Sequence, residues 1–280
     1  MGRPSIDRQT DILRKVDTMA PPQTNIELFT AGTPNGQKIN ILLEELSLSY
    51  TVHAINIAKN EQKTPSFLSI NPNGRIPAIL DHTNRSSPFR VFEGGAIMLY
   101  LCDKYDSSHR MSFPHGSDDY YECQSWVTWM QSGIGPMQGQ ANHFYRYAPQ
   151  KIEYAINRYQ TETKRLYEVL NARLKAQKDA GQGLWLVGGR YSIADLACFS
   201  WVNWAEWALG REWEKSNPFP EVSQWLRVIQ EREATKKGVD IPEKFEMKEA
   251  METEEGEREY AKHHSNWVMQ GQKEDQEKHK

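Results

Sequence analysis

The 280-residue chain sets 34 lysines and arginines against 37 acidic residues, a net charge of -3. That balance leaves no electrostatic footprint for a nucleic-acid partner, and no stretch approaches the ~18 consecutive apolar residues of a membrane span. Three cysteines, Cys102, Cys123 and Cys198, lie far apart in apolar helical stretches, with neither a CxxC pair nor metal-ligand spacing. Inert core thiols and a reducing compartment are expected, so no metal site is assigned. The N-terminus has no apolar signal core, Asp7, Asp11 and Asp17 interrupt its basic residues, and the chain ends in Lys-His-Lys. The cytoplasm is therefore the expected location, without leader or peroxisomal signal.

Residues 1–24 carry Pro4, Pro21 and Pro22 and little apolar periodicity, which predicts a mobile arm. Residues 25–107 form a first domain. Ile26 and Leu28 alternate with polar neighbours as in a strand; Ile39, Leu42, Leu43 and Leu46 then recur at helical spacing. Between them Thr33-Pro34-Asn35-Gly36 supplies a turn. A strand-to-helix turn of this kind aims free N–H groups and a positive dipole end at an anion such as a thiolate. The same residues also read as a plain tight connection.

Tyr50–Ile57 is a second strand, Thr64–Phe67 a helical turn with Pro65 in its first position, and Asn71–Gly74 a turn. Ile76–Leu80 and Arg90–Phe92 make a hairpin, and Ala96–Tyr105 a helix apolar nearly all round. The order βαβ then ββα predicts an α/β thioredoxin-like domain. Pro77 sits where it removes a ladder donor. A bend with a cis bond would free Ile76 to pair with an extended peptide; a simple edge-strand proline is the other reading.

After a Ser-, Pro-, Gly- and His-rich linker (Asp106–Asp118), residues 116–240 read as all-helical. Tyr120–Met130 is a helix, broken at Gly133–Gln140; Pro149–Gln177 is a long helix, and Leu196–Leu209 and Val222–Glu231 follow. Ser192 and Asp195 have the spacing of a capping box, with Tyr191 as its staple partner. Residues 241–280 are rich in Glu and Lys and predict a charged, solvated tail, helical in part.

Five segments in this order resemble the glutathione transferase superfamily: TPNGQK (Thr33–Lys38), NPNGRIPAI (Asn71–Ile79), FEGGAIMLYL (Phe92–Leu101), HFYRYAPQKIEYAINR (His143–Arg158) and YSIADLA (Tyr191–Ala197). The likeness is strongest to the Nu-class, YghU-like group and the fungal nitrogen-regulator-like group. It implies a thioredoxin-like domain plus an all-α C-terminal domain, glutathione as co-substrate and a homodimer. By the same resemblance Asn35 and Thr33 donate to the glutathione sulfur. Lowering a thiol pKa by ~2 units takes about 2.7 kcal/mol, within reach of two charge-assisted hydrogen bonds and a helix N-terminus.

The resemblance further places the cysteinyl unit on the backbone of Ile76 before Pro77. Lys38, Gln62 and Arg75 become candidates for the glycyl carboxylate, and Glu93 for the γ-glutamyl ammonium. Plain surface charge (Lys38, Arg75) and a helix-terminal carboxylate (Glu93) are the competing readings. Where the family pattern is Glu-Ser, this chain has Glu93-Gly94. Loss of a hydroxyl bond to a charged group costs about 1.5–3 kcal/mol, so weaker glutathione binding is expected unless Gly94 admits a compensating water or side chain. Gln131, His143, Tyr145, Arg146 and Arg158 are candidates for a second substrate site; for Tyr145 and Arg158 a core aromatic and a buried structural cation are the alternatives. The expected chemistry is disulfide reduction or conjugation by a glutathione thiolate. A non-catalytic scaffold of the same fold is one alternative. A glutathione-dependent tailoring enzyme or isomerase of fungal secondary metabolism is the other.

Overall fold

Ile26, Leu28 and Thr30 turn inward from strand β1 (Ile26–Thr30) while Glu27 and Phe29 are only half-buried, the alternation of a strand with one covered face. The strand belongs to a computed structural model that describes residues 23–279 apart from Glu212, Glu214, Lys215 and Asn217. The expected N-terminal arm thus lies outside the described residues, except for Gln23 and Thr24. β1 runs parallel to β2 (Tyr50–Ala54) and antiparallel to β3 (Ala78–Asp81), which pairs antiparallel with β4 (Phe89–Phe92), giving the order β2-β1-β3-β4. The parallel pair needs a crossover, and helix α1 (Pro34–Glu45) provides it. A short α2 (Pro65–Leu68) is capped by Thr64, and α3 (Gly94–Tyr105) follows the β3–β4 hairpin.

Two strands are shorter than the sequence predicts. β3 begins at Ala78 because the Ile76–Pro77 bond, which is cis, stands outside the ladder. β2 stops at Ala54, and two short 3₁₀ turns carry the chain to Lys63. A larger departure is α1, which the pattern casts as amphipathic. Its polar side is covered as well: Gln37, Lys38 and Asn40 are as buried as Ile39 and Leu42. Asn40 explains why, since its Nδ2 donates to the carbonyls of Gly238 (3.3 Å) and Ile241 (2.5 Å) while its Oδ1 accepts from Thr30 Oγ1 (3.1 Å). At Gly238 the backbones nearly touch, because a Cβ there would lie 2.7 Å from Ile41 Cα.

In the helical domain α4 (Asp118–Trp129) does not break at the glycines. A π turn over Met130–Ile134 leads straight into α5 (Gly135–Asn142), with Pro136 in its first turn. A second π turn, His143–Tyr147, precedes α6 (Glu153–Asp179), which starts later than the predicted Pro149. The predicted Leu196–Leu209 helix is two, α7 (Ile193–Val202) and α8 (Ala205–Leu209), parted at Asn203–Trp204. α9 (Pro220–Gln230) and α10 (Glu233–Val239) complete this layer. The capping box is formed: buried Asp195 accepts from the amides of Ser192 (3.1 Å) and Leu186 (3.0 Å) and from Trp225 Nε1 (3.0 Å). One apolar core joins the two domains through Ile39, Leu42, Val127, Leu170 and Phe199, and all three cysteines are buried in it or at its edge.

Beyond Pro242 the charged segment forms α11 (Met247–Ala250) and α12 (Glu254–Lys278). Both lie against the body. Met247 and Met251 pack with Trp204 and Trp207 in a second apolar cluster. Ser265 Oγ donates to the carbonyl of Tyr147 (2.8 Å), and Asn60 Nδ2 donates to Glu274 (2.6 Å). The C-terminal helix α12 therefore bridges from the helical domain to the loop after β2. Among the described residues no helix is long and apolar enough to cross a membrane.

Candidate active site

The site grows from the N-terminus of α1. Thr33 is its N-cap, and its Oγ1 accepts from Gly36 N (3.2 Å), which leaves the hydroxyl proton free to donate elsewhere. Gly36 is required there, because a Cβ would fall 2.2 Å from the Ala31 carbonyl. Asn35 Oδ1 accepts from Lys38 Nζ (3.0 Å) and from Trp201 Nε1 (3.1 Å). An indole and an ammonium can only donate, so this pair fixes which end of the carboxamide is oxygen. The Asn35 amide hydrogens have no hydrogen-bond partner among the described residues, and Thr33 and Asn35 both line an open cleft of about 600 Å³. That volume is within the usual range for small-molecule sites, about 300–1,000 Å³.

Lys38 does not reach that cleft. Its side chain is completely buried, with Nζ donating to Asn35 Oδ1 and to Gln131 Oε1 (3.0 Å) and lying 3.8 Å from Met130 Sδ. Burial pushes its pKa down to about 7. It is neither surface charge nor a carboxylate ligand; it braces Asn35 from behind. Gly94 adjoins it, for a Cβ on Gly94 would come within 3.2 Å of Lys38 Cδ. The glycine in place of the family serine makes room for the lysine stem.

Gln62 and Arg75 line the cleft, Gln62 buried and Arg75 exposed, together with Ile76 from the turn before cis-Pro77. Gln62 Oε1 and Asn142 Oδ1 are buried there with no hydrogen-bond partner among the described residues. Glu93 caps α3 with φ of 70°, in the left-handed region a non-glycine residue rarely adopts, and Asn73 Nδ2 donates to its Oε1 (3.2 Å). These residues fit glutathione in kind: donors at the thiol, a guanidinium for a carboxylate, a carboxylate for an ammonium.

The residues expected at a second substrate site are scattered. Gln131 is turned inward onto Lys38. Arg146 is sunk beneath α12: Nε donates to Trp207 O (2.8 Å), Nη2 to Glu206 O (3.3 Å), and Nη1 pairs with Glu257. Tyr145 lies under that guanidinium, 4.2 Å from ring centre to Cζ. Arg158 is exposed on α6, outside the cleft, so it is not a buried structural cation either. His143, whose pKa burial lowers, lines an adjoining opening shared with Gln62, Arg75 and the end of α12.

The rest of the cleft is lined by residues the sequence did not single out: Asn142, Tyr147, Trp201 beside Asn35, Trp204, His263 and His264. Their signal was faint, since tryptophans at helical spacing read as core and the two histidines sit in a charged stretch. His264 Nδ1 lies 2.9 Å from Tyr260 O and its ring stacks on Tyr260 at 4.1 Å. A carbonyl only accepts, so the proton is on Nδ1 and Nε2 carries the lone pair. Burial lowers the pKa of this ring, against the Tyr260 carbonyl bond that raises it.

A thioredoxin-type sheet whose first turn presents free donors, joined across one cleft to a helical bundle, defines the thiol-tripeptide transferase architecture. The glutathione S-transferase N-terminal domain family matches residues 24–103 and its C-terminal domain family residues 153–227. The chain is 43% identical to the disulfide-bond oxidoreductase YfcG of Escherichia coli, over 75% of this chain and 92% of that one. It is 37% identical to the disulfide-bond oxidoreductase YghU of the same organism, over 76% and 73%. Among solved structures, a glutathione transferase homologue from Lodderomyces elongisporus with two GSH per subunit superposes with a TM-score of 0.71 at 39% identity, covering 78% of this chain and 99% of that one. The chain belongs to the glutathione S-transferase family.

Proposed function

We propose that the protein is a glutathione-dependent thiol transferase whose nucleophile is the glutathione sulfur, held as a thiolate between the Thr33 hydroxyl and the Asn35 amide. The observation that carries this reading is the clamp on Asn35: Lys38 and Trp201 take its oxygen, so its nitrogen is the end left free at the cleft. The N-terminus of α1 adds its positive end. Ile76, beside cis-Pro77, offers backbone to the cysteinyl unit; Gln62 and Arg75 stand at the glycyl end and Glu93 with the Gly94 amide at the γ-glutamyl end. The thiol gives its proton to solvent, and the sulfur bonds either to one sulfur of a disulfide, whose other sulfur leaves as a thiolate and takes up a proton, or to an electrophilic carbon whose leaving group departs with the bonding pair. The names of the YfcG and YghU relatives support the first of these targets. A cytoplasmic homodimer is part of the same reading, checked by sedimentation equilibrium.

The test is Asn35→Ala. Loss of one charge-assisted bond worth about 1.5–3 kcal/mol is expected to lower kcat/KM about 10- to 150-fold, with the fold retained and the thermal midpoint lowered, because Lys38 and Trp201 lose their acceptor. A rate unchanged within twofold would remove Asn35 from the mechanism. Failure of the wild-type protein to bind glutathione would remove the whole reading.

A further inference from the structure

Asn60 joins the two 3₁₀ turns after β2, and Gln62 lies inside the second of them, Glu61–Lys63. Together with Glu274 of α12 they line an opening of about 510 Å³ that also holds Arg75. Helix α12 lies beyond both matched family segments, the second of which ends at residue 227. We infer, resting on the function proposed above, that Glu274 acts through Asn60 as a positioning residue. It turns the Gln62 carboxamide so that oxygen rather than nitrogen meets glutathione, where it accepts from the glycyl N–H and leaves the glycyl carboxylate to Arg75.

The direction follows from a chain of partners. A carboxylate only accepts, so the Asn60 atom 2.6 Å from Glu274 Oε2 is its nitrogen. The other oxygen of Glu274 accepts from Gln270 Nε2 (3.1 Å), which holds the carboxylate in place. Asn60 therefore turns its oxygen the other way, and Gln62 Nε2 donates to it (3.2 Å). The backbone suits this relay, because Asn60 has φ of 56°, a region that asparagine enters more readily than other side chains. What remains is Gln62 Oε1. It is buried without a hydrogen-bond partner among the described residues, on a side chain only 5% exposed. A buried acceptor left unpaired costs about 1–3 kcal/mol, and a donor brought by a ligand removes that cost.

Glutathione has one donor to spare for it. In the proposed pose the γ-glutamyl ammonium goes to Glu93, the thiol proton is given up, and the cysteinyl unit pairs with the Ile76 backbone. The glycyl N–H is left, next to the carboxylate that the Arg75 guanidinium is suited to take, and Arg75 and Gln62 line the cleft together. A reversed Gln62 would set its nitrogen against that N–H, donor against donor, at the expense of affinity.

Calorimetry of the full chain with glutathione tests this. In Glu274→Ala the two carboxamides are free to turn together, and glutathione affinity is expected to fall about fivefold, the loss of one hydrogen bond. Adding Asn60→Asp to that variant gives Gln62 Nε2 a partner that only accepts, and is expected to bring affinity back to within about twofold of wild type. Were α12 merely propping the loop, this second change would recover nothing, since it restores no bond to the helix. A ligand analogue supplies an independent arm: γ-glutamyl-cysteinyl-glycolate carries an ester oxygen where glutathione has the glycyl N–H. The wild type is expected to prefer glutathione over it about fivefold, and Gln62→Met to bind the two within about twofold of each other. Unchanged affinity in Glu274→Ala, no recovery with Asn60→Asp, or an equal preference in Gln62→Met would each overturn the inference and leave the proposed thiolate site intact. Absence of glutathione binding to the wild type would overturn both.

Discussion

Asn35 shows how one side chain acquires a direction. A carboxamide at a helix N-terminus can present either end, and only the two donors behind it decide which. Lys38 is one of them, and its burial has a consequence for stability. Folding lowers its pKa from 10.5 to about 7, so between those values the unfolded chain binds the extra proton. Stability therefore rises with pH across that window, and below about pH 7 the full cost of the buried ammonium is present. In Lys38→Met this rise should vanish, visible as a flat difference from pH 7 to 10 in urea midpoints where the wild type climbs. The same substitution leaves the Asn35 carboxamide held by Trp201 alone and is expected to lower kcat/KM about 3- to 10-fold, the loss of one neutral-acceptor bond. Gly94→Ser should not restore a missing serine contact, because its Cβ presses on Lys38 Cδ. The double variant Lys38→Met with Gly94→Ser is expected to depart from additivity by at least 0.5 kcal/mol in a thermodynamic cycle; strict additivity would show that the two residues act apart.

At the level of elements, capping and turn chemistry in the sequence translated directly into structure, whereas polar positions did not. Ser192 and Asp195 announced a capping box by spacing alone, and the box is formed. Yet Asp195 does more than the motif implies, since it also satisfies Leu186 N and Trp225 Nε1 in the core. Asp195→Ala is expected to cost at least 3 kcal/mol: about 1 for the cap, and the rest for buried donors left unpaired. Chemical denaturation measures it, and a loss under 1 kcal/mol would reduce the residue to an ordinary cap. Helix α1 is the counterexample. Its leucines and isoleucines marked one covered face, but Gln37 and Asn40 read as the solvent side until α10 and Trp204 were in place to receive them, and Lys38 until Gln131 was. Periodicity reports the first partner of a helix and is silent on a second partner that binds through hydrogen bonds.

Over the whole molecule, the two-domain architecture was legible because five motifs occur in a fixed order. The donor end of the cleft was legible too, being local to one turn. The rest of its lining was not, because it is assembled from α5, α7 and α12, segments spread over more than a hundred residues of the chain. A helix rich in Glu and Lys gives no hint that Tyr260 and His264 will find Trp207 and the cleft. Arg146 was misplaced for the same reason: its partner Glu257 is 111 residues away.

The three cysteines bear on how the protein would survive its own chemistry. All are buried, with the Cys123 thiol pushed up to about 12 by burial and those of Cys102 and Cys198 well above their ordinary range. Iodoacetamide applied to the native protein at neutral pH should therefore add no carbamidomethyl mass, and full turnover should return once the reagent is washed away. A catalyst that borrows its sulfur from a diffusible tripeptide keeps its own thiols out of an oxidant's reach: when the milieu turns harsh, the sulfur consumed is the expendable partner's.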